Sequence, residues 1–178
     1  MKRYLPLLCA LLIALLAACA PAEPEPPEEE GPVTLKSLSV EVSRGGLSAG
    51  ELARAVRELP EALKAALAEQ GVEAETVSVS VGSSPEATAQ ALREGGVDAA
   101  FLPAEDFAAL AEPPLLLLTA GEGEPGAMAA AVRPEDETLS GEAFARALAA
   151  AVNGLREEQA VFGPYEYAWA EPEEEAAG

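Results

Sequence analysis

The 178-residue chain has no histidine and only two cysteines, Cys9 and Cys19. Histidine is the commonest general base at neutral pH and the commonest transition-metal ligand, so its absence removes Ser-His and Cys-His nucleophile pairs and most nitrogen-ligated metal sites. Beyond residue 19 there is no thiol for a disulfide, a metal or a nucleophile. These absences argue against an enzyme, and the reading implies no metal and no cofactor. The pattern with most chemical content is Gly82-Ser83-Ser84, which opens a helical segment. Free amides at a helix N-terminus, joined by two hydroxyls, make a neutral receptor for an oxyanion that needs no lysine. Arg44, expected at the end of the first strand, is the nearest cation to it. The same serines are also ordinary caps: Ser83 has Glu86 three residues on, and Ser84 has Pro85 at the first helical position.

Three further patterns carry two readings each. Asp98 is the one carboxylate inside an apolar strand pattern; it is either a ligand-contacting group or, as turn chemistry favours, a strand-entry residue bonded to neighbouring backbone. Gly121, Gly123 and Gly126 have the spacing of a dinucleotide fingerprint. A strand pattern rather than a helix follows them, however, and Glu122 and Glu124 would repel phosphate, so the fingerprint is rejected. Tyr165, Tyr167 and Trp169 fall on one face at strand spacing. They form either a stacking platform or partner surface, or a closing strand that covers core, the commoner use of such a stripe.

The elements that must position these residues follow in chain order. Residues 35–42 alternate, with Leu38, Val40 and Val42 on one face. Ser48 and Glu51 form a capping box for a helix carrying Leu52, Val56, Leu59, Leu63 and Leu67, which Pro60 should kink or divide before Gly71. Residues 76–81 alternate again. Neither strand is apolar on both faces, so this part of the sheet should be thinly covered on one side. Residues 85–94 form a short helix with Ala87, Ala91 and Leu92 apolar and Gly95 as a left-handed cap. Residues 97–102 are a strand, and the two strands with the helix between them make a parallel βαβ unit. Then come a helical turn over 105–111, a buried strand over 115–118, an antiparallel return over 127–133, and a helix capped by Ser140 with Phe144, Leu148 and Val152 on one face. The pattern as a whole predicts an α/β lobe with a mainly parallel sheet flanked by helices.

Two resemblances add to this reading. Leu16-Ala17-Ala18-Cys19 resembles the lipobox of bacterial lipoproteins, following a basic start at Lys2 and Arg3 and an apolar run over 5–16 that is short for a membrane span. It implies a signal peptide over residues 1–18, cleavage before Cys19, lipid attachment there, and a place on the extracytoplasmic face of a bacterial membrane. Residues 19–32, rich in proline and glutamate, form a tether, and the acidic run over 171–178 a disordered tail. The segment over 91–103, Ala-Leu-Arg-Glu-Gly-Gly-Val-Asp-Ala-Ala-Phe-Leu-Pro, resembles extracytoplasmic solute-binding proteins of ABC transporters, the phosphate/phosphite/phosphonate type above all. The resemblance spans roughly residues 35–135. It implies a type II periplasmic-binding-protein-like fold, here shortened to about one lobe over residues 33–170, an oxyanion held by Ser83, Ser84 and Arg44, and an ABC permease as partner. The other reading is a non-transport interaction module that uses the lobe surface or the Tyr165, Tyr167 and Trp169 stripe.

Charge constrains both readings. The formal net charge is −20, and loss of Lys2 and Arg3 with the signal would take it from −20 to −22. Such a chain repels nucleic acid and anionic headgroups, so membrane association rests on lipid at Cys19 rather than on a basic patch.

Overall fold

The computed structural model describes residues 32–44 and 47–170. The expected signal peptide, the lipid-bearing Cys19, all of the tether but Pro32, and the acidic tail lie outside the described residues. The remainder is an α/β domain: β1 (Val33–Ser43), α1 (Ala49–Glu69), β2 (Val72–Gly82), α2 (Pro85–Arg93), β3 (Ala99–Pro103), α3 (Ala104–Ala109), β4 (Leu115–Ala120), β5 (Met128–Val132), α4 (Glu142–Leu155), a 3-10 turn (Ala160–Phe162) and β6 (Tyr167–Trp169).

The six strands form one sheet in the order β2-β1-β3-β5-β4-β6. β1 pairs in parallel with β2 and with β3, whereas the β3–β5, β5–β4 and β4–β6 contacts are antiparallel. The sheet is therefore mixed, which corrects the expectation of a mainly parallel one. The physical reason is β5. The turn over 121–127 is too short for a crossover, so β5 returns antiparallel to β4, and it does so in the space between β4 and β3. The expected βαβ unit is β2–α2–β3, but its strands are not neighbours; β1 lies between them.

The chain moves outward from β1 to β2 and then back past β1 to β3. A crossover of constant hand that reverses its direction along a sheet must put its helix on the other face. Accordingly, Leu59, Leu63 and Leu67 of α1 share the main core with Leu38, Val40 and Val42. Leu92 of α2 packs on the opposite face against Val97, Ala100 and Ala131. α4 joins α1, burying Phe144, Leu148 and Val152 as their spacing predicts. Its N-cap is Gly141 rather than Ser140, and no side chain caps it.

α1 is a single helix through Pro60, so of the two expectations, a kinked helix or two consecutive ones, the division is the one overturned. Proline removes the bond to the carbonyl four residues back, here Val56. Among the described residues Val56 is the one large apolar side chain left exposed, at 43%, so this turn lies on the outer side of the helix, where solvent can replace the lost donor. The buried seam is accordingly Leu52, Ala55, Leu59, Leu63 and Leu67, with Ala55 in the place expected for Val56. The Ser48–Glu51 capping box is present; the Ser48 amide and hydroxyl hold the Glu51 carboxylate below the usual carboxylate range.

The second face of the β1–β2 pair is indeed thinly covered: Ser37, Thr76, Ser78 and Ser80 are exposed. Along this face Asp98 ties β3 to β1. Its Oδ2 accepts from the Ser39 backbone N–H at 2.8 Å and from the Ser39 hydroxyl at 2.7 Å, and its Oδ1 accepts from Arg133 at 3.2 Å. The strand-entry reading of Asp98 is the one its bonds satisfy. Replacing Asp98 with Ala strands two donors and half-buried Arg133, at a cost of about 2 kcal/mol. Urea unfolding should show a lower midpoint at unchanged slope; a loss below about 0.5 kcal/mol would mean that the pairing of β1 and β3 does not depend on it.

Candidate functional site

From β1 the chain departs toward β2; from β3 it departs the other way, through α3 to β4. The gap between the C-terminal ends of β1 and β3 is therefore a topological switch point, where neither departing connection fills the crevice. The structure has a cleft there, of about 280 Å³, lined by Ser43 and Leu47 from the end of β1, Pro103 and Glu105 from the end of β3, and residues of two further turns. The register explains how these turns arrive: Pro103 pairs with Met128, Met128 with Ala120, and Ala120 with Tyr167, so both the turn into β5 and the approach to β6 reach the same edge.

These two turns pack tightly. Gly163 has φ of +73°, and a Cβ there would stand 3.0 Å from the Met128 side chain and 3.3 Å from the Gly126 carbonyl. Only glycine combines that backbone with that approach. The segment is held from behind: the Tyr167 hydroxyl donates to the Phe162 carbonyl at 3.0 Å, and Arg156 donates to the Pro164 carbonyl at 2.8 Å. Asn153 clamps the Tyr167 backbone from both sides, donating to its carbonyl at 3.0 Å and accepting from its N–H at 2.7 Å. The cleft wall is thereby rigid.

Within the cleft the notable group is Ser43. It is 2% exposed, and its hydroxyl has no hydrogen-bond partner among the described residues. A buried unpaired hydroxyl costs free energy and calls for an account, of which a ligand is one. Leu47, Met128 and Val161 give the rest of the lining an apolar character. Among the described residues Glu105 is the only ionisable side chain in it, and neither lysine nor arginine contributes. A second hollow, of about 470 Å³, lies across the Ala160–Pro164 segment and contains Arg54 and Arg156 alongside Glu51, Glu157 and Glu158.

Ser83 and Ser84 stand one strand farther out, at the end of β2, while Arg44 follows Ser43 at the end of β1 without lining the cleft. Ser43 pairs with Gly82, so Arg44 and Ser83 leave the sheet from adjacent strand ends, both exposed. Ser84, not Ser83, is the N-cap of α2; its Oγ accepts from the Ala87 N–H at 3.2 Å and Pro85 follows at the first position. The Glu86 carboxylate is held below the usual range by its own backbone N–H and then by the Ser84 hydroxyl. The first turn of this helix thus carries a carboxylate of its own. Thr88 packs beneath it, fully buried and unpartnered, against Gly82, where any Cβ would overlap it.

The aromatic stripe closes the core. Tyr167 is 3% exposed and stands edge-on to Phe101 and Phe162, with ring centroids 5.8 and 6.4 Å away. Burial pushes its phenol far above the usual range. Tyr165 and Trp169 are half-buried; Tyr165 lies over Gly121 and donates to the Pro125 carbonyl at 3.2 Å, and Trp169 has Arg146 over its ring. Tyr167 therefore presents no platform, and β6 is the closing strand. Among the described residues no group of three or more acidic or thiol side chains is placed to hold a metal ion, and no helix is long and apolar enough to cross a membrane.

Sequence reasoning passed over Ser43, Leu47, Met128 and Gly163 as site residues. Ser43 was legible only as a polar residue at the end of an alternating strand, which is unremarkable until the neighbouring strand ends enclose it. If that hydroxyl is kept for a ligand, Ser43→Ala should leave the ligand-free protein as stable as the parent, or about 1 kcal/mol more stable, in chemical unfolding. A loss above about 1 kcal/mol would mean that the hydroxyl has a structural role. Comparison of the chain with protein-family models, with curated proteins and with solved structures finds no match in any of the three.

Proposed function

We propose that this chain is an extracytoplasmic lipoprotein whose α/β lobe binds a small solute in the cleft between the ends of β1 and β3. It would serve as the binding component of an ABC importer, or as a reduced relative of one, held at the membrane through lipid on Cys19 and presenting its solute to a permease. The observation that carries the reading is the buried, unpartnered Ser43 hydroxyl in a preformed, largely apolar cleft. A few polar groups in an apolar hollow are what small-molecule sites are made of, and the cleft lies at the switch point that open α/β sheets use for ligands.

The finer reading, one lobe of type II periplasmic-binding-protein-like fold, draws support from the segment over 91–103 and from the sheet around it. β1, β2 and β3 run in parallel, and β3 ends at Pro103 on the rim of the cleft. The lipobox over residues 16–19 supports the membrane anchor. Nothing in the cleft supplies a nucleophile with a base beside it, so the role is binding rather than catalysis. A second reading, an interaction module, has one observation in its favour. Among the described residues β2 is an 11-residue edge strand with β1 as its sole neighbour, and such an edge can accept a strand from a partner.

Two experiments test the proposal. A thermal-shift screen of phosphate, phosphite, phosphonates, amino acids and organic amines should find a saturable rise in Tm. A solute at a hundred times its Kd adds roughly 2.7 kcal/mol, which is several degrees here, and Ser43→Ala should lose most of the rise. A flat screen on a cooperatively folding protein would favour the interaction module. Separately, Cys19→Ser should abolish incorporation of labelled fatty acid and release the protein from the membrane fraction; unchanged incorporation would remove the anchor from the proposal.

A further inference from the structure

On the reading of the cleft as a solute site, we infer that its ligand class is a small organic ammonium ion with an apolar body, seated with its cationic end toward Glu105 and a polar group against Ser43. The charge of the lining is the first argument. Glu105 is the only ionisable side chain in it, and the chain as a whole carries −20. With no lysine or arginine in the wall, an oxyanion would have to leave water for a site whose one fixed charge repels it. An ammonium ion meets attraction from the same carboxylate and from the field of the whole protein.

The second argument concerns the backbone amides that would otherwise rescue an anion. The protein's own groups take several of the amides that the helix starts on this edge offer. Ser48 and Glu51 close the start of α1, and Ser84 and Glu86 close the start of α2. At the cleft itself, the Ala104 N–H at the start of α3 donates to the Ala127 carbonyl at 2.9 Å, and Glu105 and Asp106 occupy the first turn. The electropositive features of this edge are thus partly offset internally, while the Glu105 carboxylate has no hydrogen-bond donor or ion-pair partner among the described residues.

The third argument is shape and polarity. A cleft of about 280 Å³ is at the low end for small-molecule sites. Leu47, Pro103, Met128 and Val161 can desolvate an aliphatic body, and the Ser43 hydroxyl can donate to or accept from one polar substituent. An amino alcohol or short aliphatic amine matches all three features; inorganic phosphate matches none but the hydroxyl.

The test is isothermal titration of the protein, at fixed low ionic strength, with choline, ethanolamine and butylamine as ammonium probes and with phosphate and methylphosphonate as anionic ones. Saturable binding of an ammonium probe is expected, with Kd rising about tenfold in Glu105→Gln, which removes one charge-assisted contact. Added salt should weaken binding to the wild type more than to the variant. Glu105 is exposed, so the variant should fold, which the unchanged Tm of the free protein would verify. Anion binding that Glu105→Gln leaves intact or strengthens would overturn the ligand class while leaving the solute-binding reading standing. Ammonium binding indifferent to both Glu105→Gln and Ser43→Ala would overturn the assignment to this cleft. No heat from any probe, together with a flat thermal-shift screen, would remove the solute-binding reading itself.

Discussion

The structure depends on the double pairing of β1. This strand lies between β2, with which it is in register from Val33–Val72 to Ser43–Gly82, and β3, which it meets from Val40 to Val42. Because both partners are parallel to it, each must be reached by a crossover, and because they lie on opposite sides the two crossovers fall on opposite faces. The covering of the sheet, the gap at the ends of β1 and β3, and the cleft in that gap all follow from this arrangement. The β3 side is the weaker contact, three residues against ten, and Asp98 reinforces it by bonding across to Ser39.

The other half of the sheet solves a different problem. β5 is inserted between β3 and β4, buried on both faces, and is built almost wholly of alanine. Alanine is a poor strand former by itself. Here small side chains let the helices approach the sheet, with Ala130 in the main core and Ala131 in the smaller one. β4 contributes bulk instead: a register shift between Leu116 and Leu118 accompanies the burial of both Leu117 and Leu118. Phe101, Phe162 and Tyr167 fill the remaining volume as a cluster of edge-on rings. That cluster also fixes the Phe162–Gly163 segment, and so ties the shape of the cleft to the packing of the core.

Where the cleft and the serine-rich helix start differ is in what their polar groups are already doing. Ser84 and the amides beside it are engaged by Ala87 and Glu86. Ser43 has no hydrogen-bond partner among the described residues. A protein with so many carboxylates tends to satisfy its own helix starts, as at Ser48 and Ser84, and an external anion then has to compete with an internal one at far higher effective concentration. The acidity that made a positively charged surface untenable thus also occupies part of the amide receptors that could have served in its place.

Much of the fold could be read along the chain because it depends on local rules. The alternation of Leu38, Val40 and Val42, the capping box at Ser48, the left-handed glycines at Gly71 and Gly95, and the seam of Phe144, Leu148 and Val152 each reflect neighbours within a turn or a few residues. Local rules misjudged Ser140, displaced as cap by Gly141, and left open whether Pro60 would kink its helix or divide it. They also could not show that β5 would enter the sheet between β3 and β4, because strand order depends on which gap a returning hairpin fills. By itself the sequence determined most of the elements, their polarity, the absence of histidine and the acidic field. The tertiary structure alone decided that Ser43, Glu105, Met128 and Gly163 share one cleft. These residues lie far apart along the chain and meet only when β1, β3 and β5 bring their ends to the same edge.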